Sequence, residues 1–217
     1  MEFGDGLREI ARCLQSKGYV RKGKLFYKVS GDLAYCLEFE IPGQMVYALA
    51  YILPLYIPHE NRSYTYGIRV TLNGVRAFRD AESKKLMVDN AHWWKEFLAL
   101  ANRRFFPWMD RITNPRKLVC AVSCKWRSPI CCPEIQKLKL RFFTLAFCGK
   151  YKAALGLASR YRKVIRKTSW LISSVRENLE RELDELSILL QTEPEAVAPW
   201  FERTMENTAN ACSVRIC

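Results

Sequence analysis

The sequence predicts an α+β protein: an N-terminal helix, an antiparallel sheet of four to five strands, and then a C-terminal helical region. Two observations support this fold class. Between residues 25 and 78, apolar and polar residues alternate over short segments, which is typical of strands. After residue 88 the apolar residues recur every three or four positions, which is typical of helices. Strands and helices are therefore grouped, not interleaved.

The first predicted element is a helix over residues 5–17. Leu7, Ile10 and Leu14 recur at helical spacing, so this helix should bury one face. Gly18 is expected to end it, because glycine readily adopts the left-handed conformation that closes many helices.

Two half-buried strands should follow, because apolar residues alternate from Leu25 to Ser30 and again from Leu33 to Glu40. The short sequence Ser30-Gly31-Asp32 predicts the turn that joins them. These two segments are expected to form an antiparallel hairpin.

The sheet should continue with an inner strand in the apolar segment 46–57, which ends or kinks at Pro54. A fourth strand is predicted over residues 64–72. Asn73-Gly74 is a strong hairpin signal, so a short extended segment should follow as far as Phe78.

The helical region is predicted to begin after a cap at Asp89 or Asn90. A short helix over residues 118–126 should follow the break at Asn114-Pro115. The later predicted helices cover residues 134–148, 151–167, 168–190, and a final segment from a capping box at 192–195 to about residue 210. Residues 212–217 are predicted to form a loose tail.

A composition shift near residue 88 predicts the domain organisation. Residues 1–88 should form the helix and sheet unit, and residues 89–217 should form a helical region packed on it. The segment 80–89 is the best predicted boundary, although the two parts could also form one continuous domain.

The charge of the chain is unevenly distributed. The formal net charge is +13, and residues 103–167 contain 17 basic and only 2 acidic residues. From Lys137 to Thr168 there are ten basic residues and no acidic one. Such a segment needs a source of negative charge, because like charges repel each other. The source could be internal, in the acidic segment 177–187, or external: a nucleic acid, an acidic protein or an anionic surface.

The candidate binding residues lie within this basic segment. They are Lys150, Lys152, Arg160, Arg162, Lys163, Arg166 and Lys167. The last four are three and four residues apart, so they are predicted to share one side of a helix. The neighbouring aromatic rings would suit nucleic acid, but Phe142 recurs with Leu145 and Ala146 at helical spacing, which favours a place in the core.

Four cysteines between residues 120 and 132 raise the question of a metal or redox site. They are Cys120, Cys124, Cys131 and Cys132. A spacing of four followed by an adjacent pair fits structural zinc poorly, so buried thiols are the expectation, with a metal site and a redox pair as alternatives. Neighbouring basic residues would lower a thiol pKa, so an exposed Cys131 or Cys132 could be reactive.

Several function classes have little support in the sequence. The chain contains only two histidines, and no glycine-rich phosphate-binding motif is present. No cofactor is therefore expected, and the protein is predicted not to be an enzyme. The start of the chain does not resemble a signal peptide, and no segment is apolar enough to span a bilayer. We expect a cytoplasmic protein with reduced cysteines and no membrane association.

The opening segment carries a family resemblance. Leu7-x-x-Ile10, the segment 18–23 and Phe26-Tyr27, with a later similarity at residues 149–154, resemble the bacterial domain-of-unknown-function family forty-three zero four. The resemblance covers the first 75 residues best and implies an initial helix, a small sheet and then helices. That family has no established activity. Some members are associated with bacterial competition or defence, which implies a possible immunity-type role.

These observations lead to one functional prediction and two alternatives. The protein is expected to be a non-enzymatic binding or interaction protein that contacts an acidic partner through its basic helical surface. The first alternative is an RNA- or DNA-binding module. The second is an enzyme that uses a reactive cysteine between residues 120 and 132.

Overall fold

A computed structural model describes five stretches of the chain: residues 3–40, 47–59, 66–70, 93–123 and 132–216. The predicted α+β class is confirmed, because a helix, an antiparallel sheet and a helical region follow each other along the chain. The chain divides into two compact units. The sheet unit comprises residues 1–53 and 63–131 with residue 217, and the helical unit comprises residues 54–62 and 132–216. The predicted boundary at 80–89 lies outside the described residues.

The sheet unit begins with α1, Phe3–Gln15. Leu7, Ile10 and Leu14 are buried, as their helical spacing predicts. Gly18 has φ +79°, and its N–H donates to the Gln15 carbonyl at 3.0 Å. The predicted glycine that ends this helix is therefore confirmed.

Among the described residues, five strands form one sheet in chain order. They are β1 Val20–Lys22, β2 Leu25–Ser30, β3 Leu33–Glu40, β4 Tyr47–Pro54 and β5 Gly67–Val70. The turn at Gly31 has φ +57°, and β2 pairs antiparallel with β3 in the predicted hairpin. β1 is an addition to the predicted strands, and all three of its residues are exposed.

The prediction that β3 is half-buried is wrong. Seven of its eight residues are buried, so side chains on both faces of the strand are covered. Phe39 packs edge-on against Phe97, with ring centroids 4.9 Å apart, and also contacts Trp93. The helix that contains Trp93 and Phe97 therefore covers the face of β3 that carries Phe39. This is the face that the alternation pattern marks as apolar.

The helices of the sheet unit follow after residue 92. They are α2 Trp93–Leu100, a π-helical segment Ala101–Phe105, α3 Phe106–Asp110 and α4 Pro115–Ser123. The predicted break at Asn114-Pro115 lies at the start of α4. The Asn114 side-chain oxygen caps this helix, because it accepts a hydrogen bond from the Lys117 N–H at 3.0 Å. The predicted caps at 89–90, the hairpin at 73–74 and the helix end at 124–126 lie outside the described residues.

In the helical unit the structure describes four α-helices. They are α5 Glu134–Phe147, α6 Tyr151–Lys167, α7 Ser173–Thr192 and α8 Val197–Ala211, with a 3-10 turn at Pro194–Ala196. α7 begins at Ser173 and not at the predicted Thr168. No described helix has both the length and the apolar character that crossing a bilayer requires.

Two predictions at the C-terminal end are wrong. The expected capping box at 192–195 makes no side-chain cap hydrogen bond, and a 3-10 turn leads into α8 instead. The expected loose tail is partly packed, because Cys212 and Val214 are buried. The Val214 N–H donates to the Ala209 carbonyl at 2.8 Å, which closes α8 in the manner of many helix ends.

The strand β4 ends at Pro54, as predicted, and residues 54–59 belong to the helical unit. The Tyr56 ring stacks on Phe147 at 4.6 Å, and its hydroxyl lies 2.8 Å from the Thr144 hydroxyl. The Thr208 hydroxyl donates to the Ile57 carbonyl at 3.0 Å. This short segment therefore connects α5 with α8.

Candidate basic binding surface

α6 has a buried side and a lysine-bearing side. Tyr161 and Ile165 are buried, whereas Lys152, Lys163 and Lys167 are exposed. Spacings of 11 and 15 residues at roughly 100° per residue place these three lysines within about 60° of each other, opposite the buried residues. The amphipathic pattern of the helix therefore orients the lysines toward solvent.

Arginines on the α7 side of this helix are paired with acids. Arg162 forms an ion pair with Asp184, and Arg166 Nε lies 2.9 Å from Glu180 Oε1. Both acids belong to the acidic segment that the sequence offers as an internal source of negative charge. That source therefore contacts the basic segment at these two arginines, and also at Lys139, which pairs with Glu182.

An ion pair also lies on the α5 side. Arg160 Nη2 is 2.7 Å from Glu134 Oε1, and both side chains are more than half exposed. Exposed pairs of this kind contribute about 0–1 kcal/mol to stability, because water screens them. Their main effect is to neutralise charge on both sides of the outward-facing lysines.

The structure divides the seven predicted binding residues into two groups. Arg160, Arg162 and Arg166 have carboxylate partners. The other four form what we call the lysine surface: Lys150, Lys152, Lys163 and Lys167. All four are exposed, and none forms an ion pair with another described residue. That these residues bind a partner stays a prediction.

A buried ion pair lies inside the helical unit. Lys139 Nζ is 2.7 Å from Glu182 Oε2 and donates to the Pro58 carbonyl at 3.1 Å. The two side chains are only 7% and 17% exposed. A buried ammonium must be paired and hydrogen-bonded to offset its lost hydration. The contacts therefore give Lys139 a structural role, because it joins α5 to α7 and to the segment 54–59.

Two further titratable side chains adjoin this pair. Burial, and secondly the Lys139 charge, lower the pKa of His59 to about 3, so its imidazole is neutral. Burial, and secondly Glu182, raise the pKa of Tyr161. The Tyr161 hydroxyl is buried and has no hydrogen-bond partner among the residues that the structure describes. Sequence reasoning missed this cluster, although Lys139 interrupts the apolar spacing of α5.

A groove of about 720 Å³ lies beside the cluster, bordered by α7, α8 and Pro58-His59. Among its described lining residues, Arg181 and Arg203 are basic, Glu182 and Glu185 are acidic, and Trp200 supplies an apolar wall. The groove therefore mixes both signs of charge. It differs from the lysine surface, which presents only positive charge.

The cysteine predictions have mixed outcomes. Cys132 is buried as expected, whereas Cys120 on α4 is exposed, so its predicted burial is wrong. Cys124 and Cys131 lie outside the described residues. Among the residues that the structure describes, no three or more His, Cys, Asp or Glu side chains are grouped so that they could hold a metal ion.

Comparisons with protein-family models, curated proteins and solved structures find no match to this chain. The fold and surface chemistry therefore define the class only as an α+β protein with a positively charged helical surface.

Proposed function

We propose that this chain is a non-enzymatic binding protein that contacts an acidic partner through the lysine surface. One observation carries the proposal: three lysines on one side of α6 are exposed and form no ion pair with the described residues. Nearby acids pair with the arginines on both flanks instead. The lysines thus remain accessible to an external anion.

The spacing of the lysine surface suits an extended negative partner. At 1.5 Å per residue, Lys163 and Lys167 are about 6 Å apart along the helix axis, and Lys152 is about 16 Å from Lys163. The Debye length is about 8 Å at physiological salt, so dissolved ions screen the repulsion between the neighbouring Lys163 and Lys167 only in part. A partner with several anionic groups would remove this repulsion and bind in a salt-dependent way.

The aromatic residues support an acidic partner over base stacking. Phe142 and Phe143 are buried against each other, and Tyr161 is buried beside them. Rings that are packed in a core offer no platform for nucleic-acid bases. Nucleic acid remains the alternative, through contacts between lysines and phosphates and through stacking on the exposed Trp170. An enzyme with a reactive cysteine remains a third hypothesis, now with the exposed Cys120 as its candidate.

The family resemblance would place such a partner in a bacterial competition or defence setting. In that setting a basic contact surface requires an acidic surface on the partner. The basic contact surface disfavours a basic nuclease toxin as the partner, because complementary charge promotes association.

Binding to fluorescent polyglutamate tests this function. The variant K150Q/K152Q/K163Q/K167Q should bind at least on the order of tenfold more weakly than wild type at low salt, because several charge contacts are lost together. The matched control is K17Q/K22Q/K24Q/K117Q, which removes four exposed lysines of the sheet unit and changes the net charge equally. Equal weakening by both variants would contradict the proposal. RNA and duplex DNA in the same assay test the alternative.

A further inference from the structure

The loop between α6 and α7 exposes large apolar side chains. Trp170 is 62% exposed, Ile172 is 67% exposed, and Val175 in the first turn of α7 is 40% exposed. We call these three residues the apolar tip. They make up half of the six large, exposed apolar side chains among the described residues, yet they lie within six positions of the chain. Such clustering marks an interaction site more than scattered single residues do.

The backbone of this loop is held in place. Leu171 is buried, and the Thr168 hydroxyl donates to the Val164 carbonyl at 2.7 Å. Arg176 Nη2 donates to the Thr168 carbonyl at 3.3 Å and to the Leu171 carbonyl at 3.4 Å. The buried Leu171 lies between Trp170 and Ile172 in the sequence, so anchoring it holds its two neighbours at the surface.

Basic residues surround the apolar tip. Residues 163–177 contain four basic residues and one acid, Glu177. Arg166 is paired with Glu180, and Arg176 contacts the loop carbonyls. Lys163 and Lys167 are exposed and form no ion pair with another described residue. An apolar group and two available positive charges therefore occupy the same end of the α6–α7 hairpin.

We propose that the apolar tip, together with Lys163 and Lys167, docks the protein on the surface of an anionic lipid bilayer. This inference rests on the proposed function, because it names the anionic partner of the same lysines. Tryptophan favours the boundary between headgroups and acyl chains, and lysine is attracted to anionic headgroups. Stable attachment to a membrane surface takes two such signals. The apolar tip supplies one of them, and Lys163 and Lys167 supply the other. Docking of this kind needs no membrane-spanning helix, and it departs from the expectation, drawn from the sequence, that the protein has no membrane association.

The tip fits a bilayer better than it fits the polar surface of an acidic protein. Carboxylates that pair with Lys163 and Lys167 would leave Trp170 and Ile172 in water. A bilayer interface offers anionic groups and an apolar layer within a few ångströms of each other. Binding there therefore stabilises the two lysines and the apolar tip at the same time. Phosphates of a nucleic acid offer nothing to the aliphatic Ile172 and Val175.

Co-sedimentation of the full chain with vesicles tests the inference. Vesicles with about 30% phosphatidylserine should bind the protein, and vesicles of phosphatidylcholine alone should bind it far more weakly. K163Q/K167Q should lower the partition coefficient about twenty-fivefold, since each lysine near the surface contributes about fivefold. Its control, K150Q/K152Q, alters the other end of α6 and should lower the coefficient much less.

The apolar contribution has its own matched pair of variants. I172S should weaken binding by about tenfold, because an inserted aliphatic side chain is lost. I188S alters a 57% exposed isoleucine on α7, away from the apolar tip, and should leave vesicle binding unchanged. Both positions are exposed, so far-UV circular dichroism should show that each variant folds.

The outcomes separate this inference from the proposed function. Failure of the wild type to bind anionic vesicles, or equal effects of I172S and I188S, would overturn the bilayer inference. If polyglutamate binding still depends on the lysine surface in that case, the lysines contact an acidic partner other than a bilayer and the proposed function stands. If neither ligand responds to the lysine substitutions, both proposals fail.

Discussion

Substituting His59 with asparagine (H59N) should make the helical unit less sensitive to acid. The folded protein lowers the pKa of His59 from 6.5 to about 3, first through burial and second through the Lys139 charge. In the unfolded chain the imidazole binds a proton near pH 6.5. Between these two values the unfolded state holds more protons than the folded state, so the free energy of unfolding falls as the pH decreases.

The size of this effect follows from the two pKa values. At 1.36 kcal/mol per pH unit, lowering the pH from 7 to 5 should remove about 2 kcal/mol of stability through His59 alone. Any folded-state pKa below about 4 gives nearly the same result, because pH 5 then lies well above it.

Urea unfolding followed by far-UV circular dichroism, at pH 7 and pH 5, measures this contribution. Wild type should lose about 2 kcal/mol more than H59N over this interval. H59N can change stability at both pH values, but that constant part cancels when the two differences are compared. Equal losses for the two proteins would refute the inference that the fold keeps His59 neutral.

Three further substitutions test the packing described above by the same unfolding assay. K139M should cost about 3–5 kcal/mol because it leaves the Glu182 carboxylate buried without its ammonium, and K139M/E182L should recover most of that loss; strictly additive effects would contradict this. Y161F should stabilise the protein by about 1 kcal/mol, because it removes a buried hydroxyl that has no hydrogen-bond partner in the described part of the chain; a clear loss of stability would show that the hydroxyl is satisfied. G67A should destabilise the sheet unit by more than about 1 kcal/mol, because an added Cβ would overlap the Cβ of Tyr51 in β4; unchanged stability would disprove that close approach.

The elements that the sequence predicts well are those set by local chemistry. The β2–β3 hairpin follows from alternation on each side of Gly31, and α6 ends where the apolar spacing ends at Lys167. β1 has only three exposed residues, too few for a pattern, and it forms because it pairs with β2. The loop before α7 also depends on distant effects, because the burial of Leu171 and the bonds from Arg176 hold it.

The candidate site is predictable only in part, for a related reason. The crowding of positive charge is visible in the sequence, but the pairing of each residue depends on which acids the fold brings near. Arg162 and Asp184 are 22 positions apart, and no local spacing connects them. Lys139 and Glu182 are farther apart still, and they meet only because α5 and α7 pack in the same unit.

The apolar tip illustrates how much depends on one loop. A helix that begins at Thr168 would place Trp170 and Ile172 on different helical faces. In the loop that the structure contains, both side chains are exposed beside the buried Leu171. Because α7 begins at Ser173 and not at Thr168, Trp170 and Ile172 of the apolar tip lie in a loop next to Lys167 of the lysine surface.

Acetylation of lysine side chains, measured residue by residue by mass spectrometry with and without polyglutamate, tests the central claim most directly. Lys152, Lys163 and Lys167 should react several times more slowly when the polyanion is bound, because contact with carboxylates shields their amines. The exposed Lys22 and Lys24 of the sheet unit should react at unchanged rates. Uniform protection of all exposed lysines, or protection confined to the sheet unit, would contradict the assignment of α6 as the contact surface.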